Sequence, residues 1–131
     1  MIKREPPADL SAFNAPELLA LSQSFFRADA VGADAAHIVA ALLIAGVAAY
    51  PRAFTLREFA QYVMTNDLDR CVTILLRRDE KLPVVALVLT REFQRWSARR
   101  RAACLDLAGA FLRLAALLDE RPASSRRQSF R

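Results

Sequence analysis

"TLREFAQYVMTNDLDRCVTILLRR", residues 55–78, decides how the rest of the chain is read. Its first half sets Leu56, Phe59, Ala60 and Val63 at helical spacing. Thr55 and Glu58 stand ahead of that run as a capping box, in which each side chain accepts from the other residue's free backbone N–H. This helix is predicted to stop near Met64. Thr65, Asn66 and Asp67 are three good capping residues in a row. After them Leu68, Cys71, Val72, Leu75 and Leu76 fill the apolar positions of a second amphipathic helix. "CVTILLR" is also rich in β-branched residues, so a hairpin starting at Cys71 is the alternative. Polar and apolar residues do not alternate there, which favours the helix.

Upstream, Pro6-Pro7 blocks early helix, and residues 1–14 read as a flexible polar arm. Pro16 suits a first helical turn, and "PELLALSQSFFRADAV" carries Leu18, Leu19, Leu21, Phe25 and Phe26 on a broad stripe. Gly32 permits a break, and Asp34 can N-cap the next helix. That helix, "AAHIVAALLIAGVAAY" (residues 35–50), is apolar nearly all round and implies burial on several sides. It is short of the ~20 residues a membrane span needs, and Pro51 ends it.

Downstream, "VVALVLT" (residues 84–90) reads as a short strand; a helix opening at Pro83 is the alternative. A long helix is predicted over 91–120. Arg91, Arg95 and Arg99 recur every fourth residue along its first half, a basic face fit for DNA backbone, an acidic protein surface or plain solvent. Its second half spreads Leu105, Leu107, Phe111, Leu112, Leu114 and Leu118 around the helix, more apolar surface than one partner face can hide. A dimer interface is the expected use. Residues 121–131 read as a disordered basic tail, which leaves one domain over residues 15–120.

Charge is unevenly divided. Residues 1–50 carry three basic and five acidic side chains, a net of −2; residues 51–131 carry sixteen and nine, a net of +7. The basic half suits a polyanionic partner, although a solvated face is the plainer account. Three glycines are too few for a Gly-rich phosphate loop or a typical all-β fold, and the Ala/Leu content favours helix. The fold class expected is mainly α. Cys71 and Cys104 lie far apart on apolar faces and read as buried free thiols, as in a reducing cytoplasm. No secretory signal is expected, because no apolar run follows the charges of residues 1–7. The single histidine, His37, lies in the apolar helix. With no metal-ligand spacing and no Ser–His–acid set, neither catalysis nor a metal or other cofactor is expected.

The order of elements, with "FTLREFAQYV", "MTNDLDRCVTILLRR" and "VVALVLTREF", resembles the winged-helix regulators of the multiple-antibiotic-resistance (MarR) type. The first segment is similar to that family's helix before the turn, the second to its turn and recognition helix, and the third to its second wing strand and the opening of its last arm. The resemblance implies a winged-helix-like fold with a short β element and a cytoplasmic homodimer joined by the first and last helices. Leu18, Leu21, Phe25, Leu107, Phe111, Leu114 and Leu118 would form the seam. It further implies a transcription regulator reading a palindromic operator in double-stranded DNA. Thr65, Asn66, Asp69, Arg70 and Thr73 would face the bases, while Arg52, Arg77, Arg78 and Lys81 would hold phosphates. In this sequence the turn is shorter than the family's, and Asp79-Glu80-Lys81-Leu82-Pro83 replaces a basic wing tip. Those differences support a second expectation: a regulator-like fold acting as an adaptor, anti-repressor or inhibitor by binding protein.

Overall fold

The computed structural model describes residues 9–49, 53–77 and 84–118, which form a bundle of six helices behind a 3-10 turn. α1 is Ala15–Ser24, α2 Ala30–Ala49, α3 Leu56–Asn66, α4 Leu68–Arg77, α5 Val84–Arg95 and α6 Ala98–Ala115. The mainly-α expectation holds, and no strand occurs among the described residues.

Helix starts follow local chemistry. Asn14 and Glu17 make a capping box at α1, with Pro16 in its first turn, and Thr55 and Glu58 make the expected one at α3. The arm expected over residues 1–14 is anchored from Asp9 onward. The 3-10 turn Leu10–Ala12 is capped by Asp9, the Leu10 N–H donates to the Phe54 carbonyl at 2.9 Å, and the Leu10 side chain is fully buried.

α2 is the hub. It packs against α1, α5 and α6, and more lightly against α4, while α3 lies on α6. Burial from several directions explains its all-round apolar sequence: Ile38, Val39, Leu43 and Ile44 are enclosed, and Ala35, Ala36, Ala40 and Ala41 let neighbouring helices approach closely. Enclosing one such Leu or Ile stabilises the fold by about 1.5–3 kcal/mol. Residues Ala30–Ala48 have the length and mean hydropathy, 1.9, of a membrane span, but 61% of the stretch is covered by the rest of the chain. Its place as the core helix accounts for its composition.

Three expectations change here. Gly32 does not break the chain and Asp34 does not cap α2, because α2 begins four residues earlier than Asp34. The Asp29 carboxylate accepts from the Gly32 N–H at 2.7 Å and its carbonyl accepts from Ala33 N–H, so Asp29 takes the capping role. The strand expected over 84–90 is the first part of α5. Among the described residues there is no strand for it to pair with, and an unpaired strand leaves its backbone groups unsatisfied, whereas a helix bonds its own. Finally, the single helix expected over 91–120 is two. α5 ends at Arg95, Trp96 turns back with its N–H donating to the Phe93 carbonyl, and Ser97 caps α6 by accepting from the Arg100 N–H.

Gly32 and Gly46 both sit inside α2 but in opposite surroundings. A Cβ on Gly32 would fall 2.0 Å from the Arg27 carbonyl oxygen, a clash with backbone; one on Gly46 would meet only the Phe54 ring at 3.8 Å. Gly46→Ala should therefore raise unfolding free energy by about 0.5–1 kcal/mol through helix propensity, while Gly32→Ala should lower it by about 1–3 kcal/mol through overpacking. Urea titrations of the two variants check the opposite signs.

Candidate interaction surface

α6 has two unlike faces. Cys104, Ala108, Leu112 and Ala115 form the buried one, set against α2 and α3. Gly109 is buried beside them, with Leu68 of α4 near the place its Cβ would occupy. The outward face carries Ala103, Leu107, Ala110 and Leu114 at spacings of four, three and four residues, and Leu117 follows three residues on, in the turn after the helix. Ala103 and Leu107 are half-buried and Ala110 is exposed. Leu114 is 70% exposed and Leu117 79%. Leu114 and Leu117 thus form an uncovered apolar patch among the described residues.

Beside this stripe lies an aromatic cluster. Phe111 stacks on Phe25 with ring centroids 4.5 Å apart and meets Phe26 at 5.2 Å. On the stripe's other flank stand Asp106 and Arg113, both exposed. The C-terminal end of α6 is held by α3, where Gln61 Nε2 donates to the Ala116 carbonyl at 3.1 Å.

The N-terminal end of α6 is fixed by charge. Arg100 Nε donates to Asp34 Oδ2 at 2.7 Å and Nη2 donates to Oδ1 at 2.9 Å, a bidentate pair between α6 and α2. The guanidinium also lies 4.3 Å from the centre of the Trp96 ring, an added cation–π attraction. The Asp34 side chain is 9% exposed and the Arg100 side chain 53%. The Asp34 hydrogen bonds push the Arg100 pKa up, against the lowering effect of burial. Arg101 Nη1 donates to the Trp96 carbonyl at 2.6 Å, closing the bend between α5 and α6.

The residues expected to form a dimer seam divide accordingly. Leu114 is open to a partner, and Leu107, Phe111, Leu118, Leu21 and Phe25 are half-buried at the rim. Leu18 is corrected: at 1% exposure it belongs to the chain's own core and is closed to a partner. Ala103, Ala110 and Leu117 lie outside the expected set but fall in line with Leu107 and Leu114, a spacing readable in the sequence. The basic face expected from Arg91, Arg95 and Arg99 is also corrected. Arg91 and Arg95 lie on α5, Arg95 within 3.9 Å of Glu92, while Arg99 lies on α6 beyond the bend.

The expected base-reading set is split as well. Thr65 and Asn66 form the last turn of α3, where Asn66 Nδ2 donates to the Tyr62 carbonyl. Asp67 alone links α3 to α4 with φ 71°, a left-handed conformation that non-glycine residues seldom adopt. DNA-binding helix-turn-helix units use about 3–4 residues in that turn. Asp69, Arg70 and Thr73 share an exposed side of α4, and Thr73 Oγ1 donates to the Asp69 carbonyl. Arg77 ends α4; Arg52, Arg78 and Lys81 lie outside the described residues, as does the expected tail over 121–131.

Other chemistry is sparse. His37 Nδ1 lies 2.7 Å from the Ala33 carbonyl one turn back, which occupies one ring nitrogen within the helix. A shallow cleft of about 330 Å³ runs between the end of α1 and the start of α2, with Gln23, Arg27 and Asp29 on its wall. Asp29 there already serves as the cap. Among the described residues no group of three His, Cys, Asp or Glu is placed to hold a metal ion. Comparison with protein families, curated proteins and solved structures found no match to this chain.

Two predictions test the anchoring of α6. Arg100→Leu strands a buried carboxylate, whereas Asp34→Leu frees an arginine that already reaches solvent, so the first should lower the melting temperature more. The double variant should recover part of that loss; equal melting temperatures for the two single variants would contradict the asymmetry. Burial pushes the Cys104 thiol from 9.0 up to about 12, with Asp34 adding to the rise and Arg100 opposing it. A raised thiol pKa means that the folded state holds the proton more tightly. Its stabilising contribution is complete below pH 9.0 and is lost as pH climbs toward 12. Cys104 should resist iodoacetamide at pH 8 until the chain unfolds, which mass spectrometry of the labelled peptide reads directly.

Proposed function

We propose that this chain is a helical protein-interaction module whose working surface is the outward face of α6, acting as an adaptor, anti-repressor or inhibitor through protein contact. The observation that carries this reading is the exposure of Leu114 and Leu117 in line with Ala103, Leu107 and Ala110. The face is held rigid at both ends, by Arg100 on Asp34 and by Gln61 on Ala116. A backbone fixed at both ends limits what binding must order to the exposed side chains themselves. Further support comes from the course of residues 56–95. The one-residue α3–α4 link and the helical α5 differ from the turn and wing strand that a winged-helix reader of the MarR type would use.

A second reading keeps the dimeric transcription regulator, with the helix over about 66–78 in the major groove of a palindromic operator. The exposed side of α4, with Asp69, Arg70 and Thr73, favours it, together with the +7 charge of residues 51–131. Asp67 and Asp69 flank that side with negative charge, which repels phosphate.

Titration of random-sequence duplex DNA at low and at physiological salt separates the two. The interaction reading expects no binding at low salt. Tight binding that weakens steeply with salt would overturn it in favour of the regulator. In that event Arg70→Ala should relax base preference at one operator position by about 1–3 kcal/mol.

A further inference from the structure

We infer that the occupant of the α6 face is a second copy of this chain, with the two α6 helices antiparallel across a two-fold axis at Ala110. This rests on the reading of that face as the working surface and adds which partner covers it.

Three observations carry it. The spacing Ala103, Leu107, Ala110, Leu114 alternates four and three along α6, the seam of a two-helix coiled coil, and Leu117 in the turn just after the helix continues it. The seam also suits antiparallel self-pairing about Ala110. Antiparallel pairing sets Ala103 opposite Leu117 of the partner subunit, Leu107 opposite Leu114 of the partner subunit, and Ala110 on its own copy. Small residues then face large ones toward the ends, and two alanines meet at the centre, where the helix axes can come closest. The third observation is charge. Asp106 and Arg113 are seven residues apart on the same flank and are both exposed. Antiparallel pairing brings Asp106 beside Arg113 of the partner subunit, and the two-fold axis makes that ion pair twice. A parallel two-fold pair would instead carry the two charged flanks to opposite sides of the seam, and neither ion pair would form. The opposed macrodipoles favour the antiparallel arrangement again.

Phe111, on the other flank, is already stacked on Phe25 and beside Phe26. This cluster extends the seam onto the end of α1, so the contact is wider than the two helices alone. A self-complementary patch of this kind closes on itself and stops at two copies.

The test uses the full chain in sedimentation velocity at micromolar concentrations. A dimer is expected. Leu114→Lys should give monomers whose circular dichroism and melting temperature match the parent, because that side chain touches solvent and not the core. Asp106→Arg should weaken the dimer on the order of tenfold through two like-charge contacts, and the swap Asp106→Arg/Arg113→Asp should restore it. Orientation is read by oxidation: the Ala103→Cys/Leu117→Cys double variant should cross-link between copies, and Ala103→Cys alone should not. A monomeric parent chain would overturn the second-copy inference and leave the interaction reading to its DNA titration. A dimer indifferent to Leu114→Lys would overturn both, because another face would then be the one in use. Cross-linking of Ala103→Cys to itself would overturn the antiparallel arrangement.

Discussion

The ion pair between Asp34 and Arg100 is the constraint on which the shape of this molecule turns. Asp34 lies inside the core helix, where a lone carboxylate would be costly. Its partner comes from the first turn of α6 and closes both oxygens. Arg100 reaches Asp34 while lying over Trp96, at the bend where the chain leaves the line of α5 and Ser97 caps α6. Because α6 is pinned against α2 along Cys104, Ala108 and Leu112, its opposite side is set outward.

Much of the fold is legible in the sequence where the cause is local. The Thr55–Glu58 box, the burial of Leu56, Phe59, Ala60 and Val63, and the enclosed nature of the residue 35–44 segment depend on neighbours within a turn or two, or on composition alone. Misreadings arise where a distant group supplies the reason. Asp34 looks like a cap because a carboxylate before an apolar run usually is one; its true partner is 66 residues away. Gly32 looks like a break, yet its lack of a side chain serves the close passage of the Arg27 carbonyl. "VVALVLT" has the residues of a strand, but among the described residues no strand is present to pair with it.

The candidate site was half visible for a related reason. Periodicity identifies an apolar face but does not say what covers it. Leu18 and Leu114 look equivalent in the sequence, and only the packing of α1 on α2 shows that the first is consumed within the chain while the second is free. The arginines illustrate the same point. Equal spacing at 91, 95 and 99 assumes one continuous helix, and the bend distributes them over two. Surface claims drawn from spacing hold only as far as the element itself is unbroken.

The core position of α2 also has a consequence for how the chain is made. Synthesis runs from the N-terminus, and of the described helices that pack on α2 only α1 precedes it; α4, α5 and α6, which cover its other sides, follow later. For that interval a helix of 20 residues, most of them Ala, Ile, Leu and Val, stands open to water and resembles a span awaiting a bilayer. The cover of α2 thus depends on contacts that are long in sequence and late in synthesis. The buried carboxylate of Asp34 sits in the first half of this helix. Until Arg100 arrives it is a charge in an otherwise apolar segment, and it opposes the entry of that segment into a membrane.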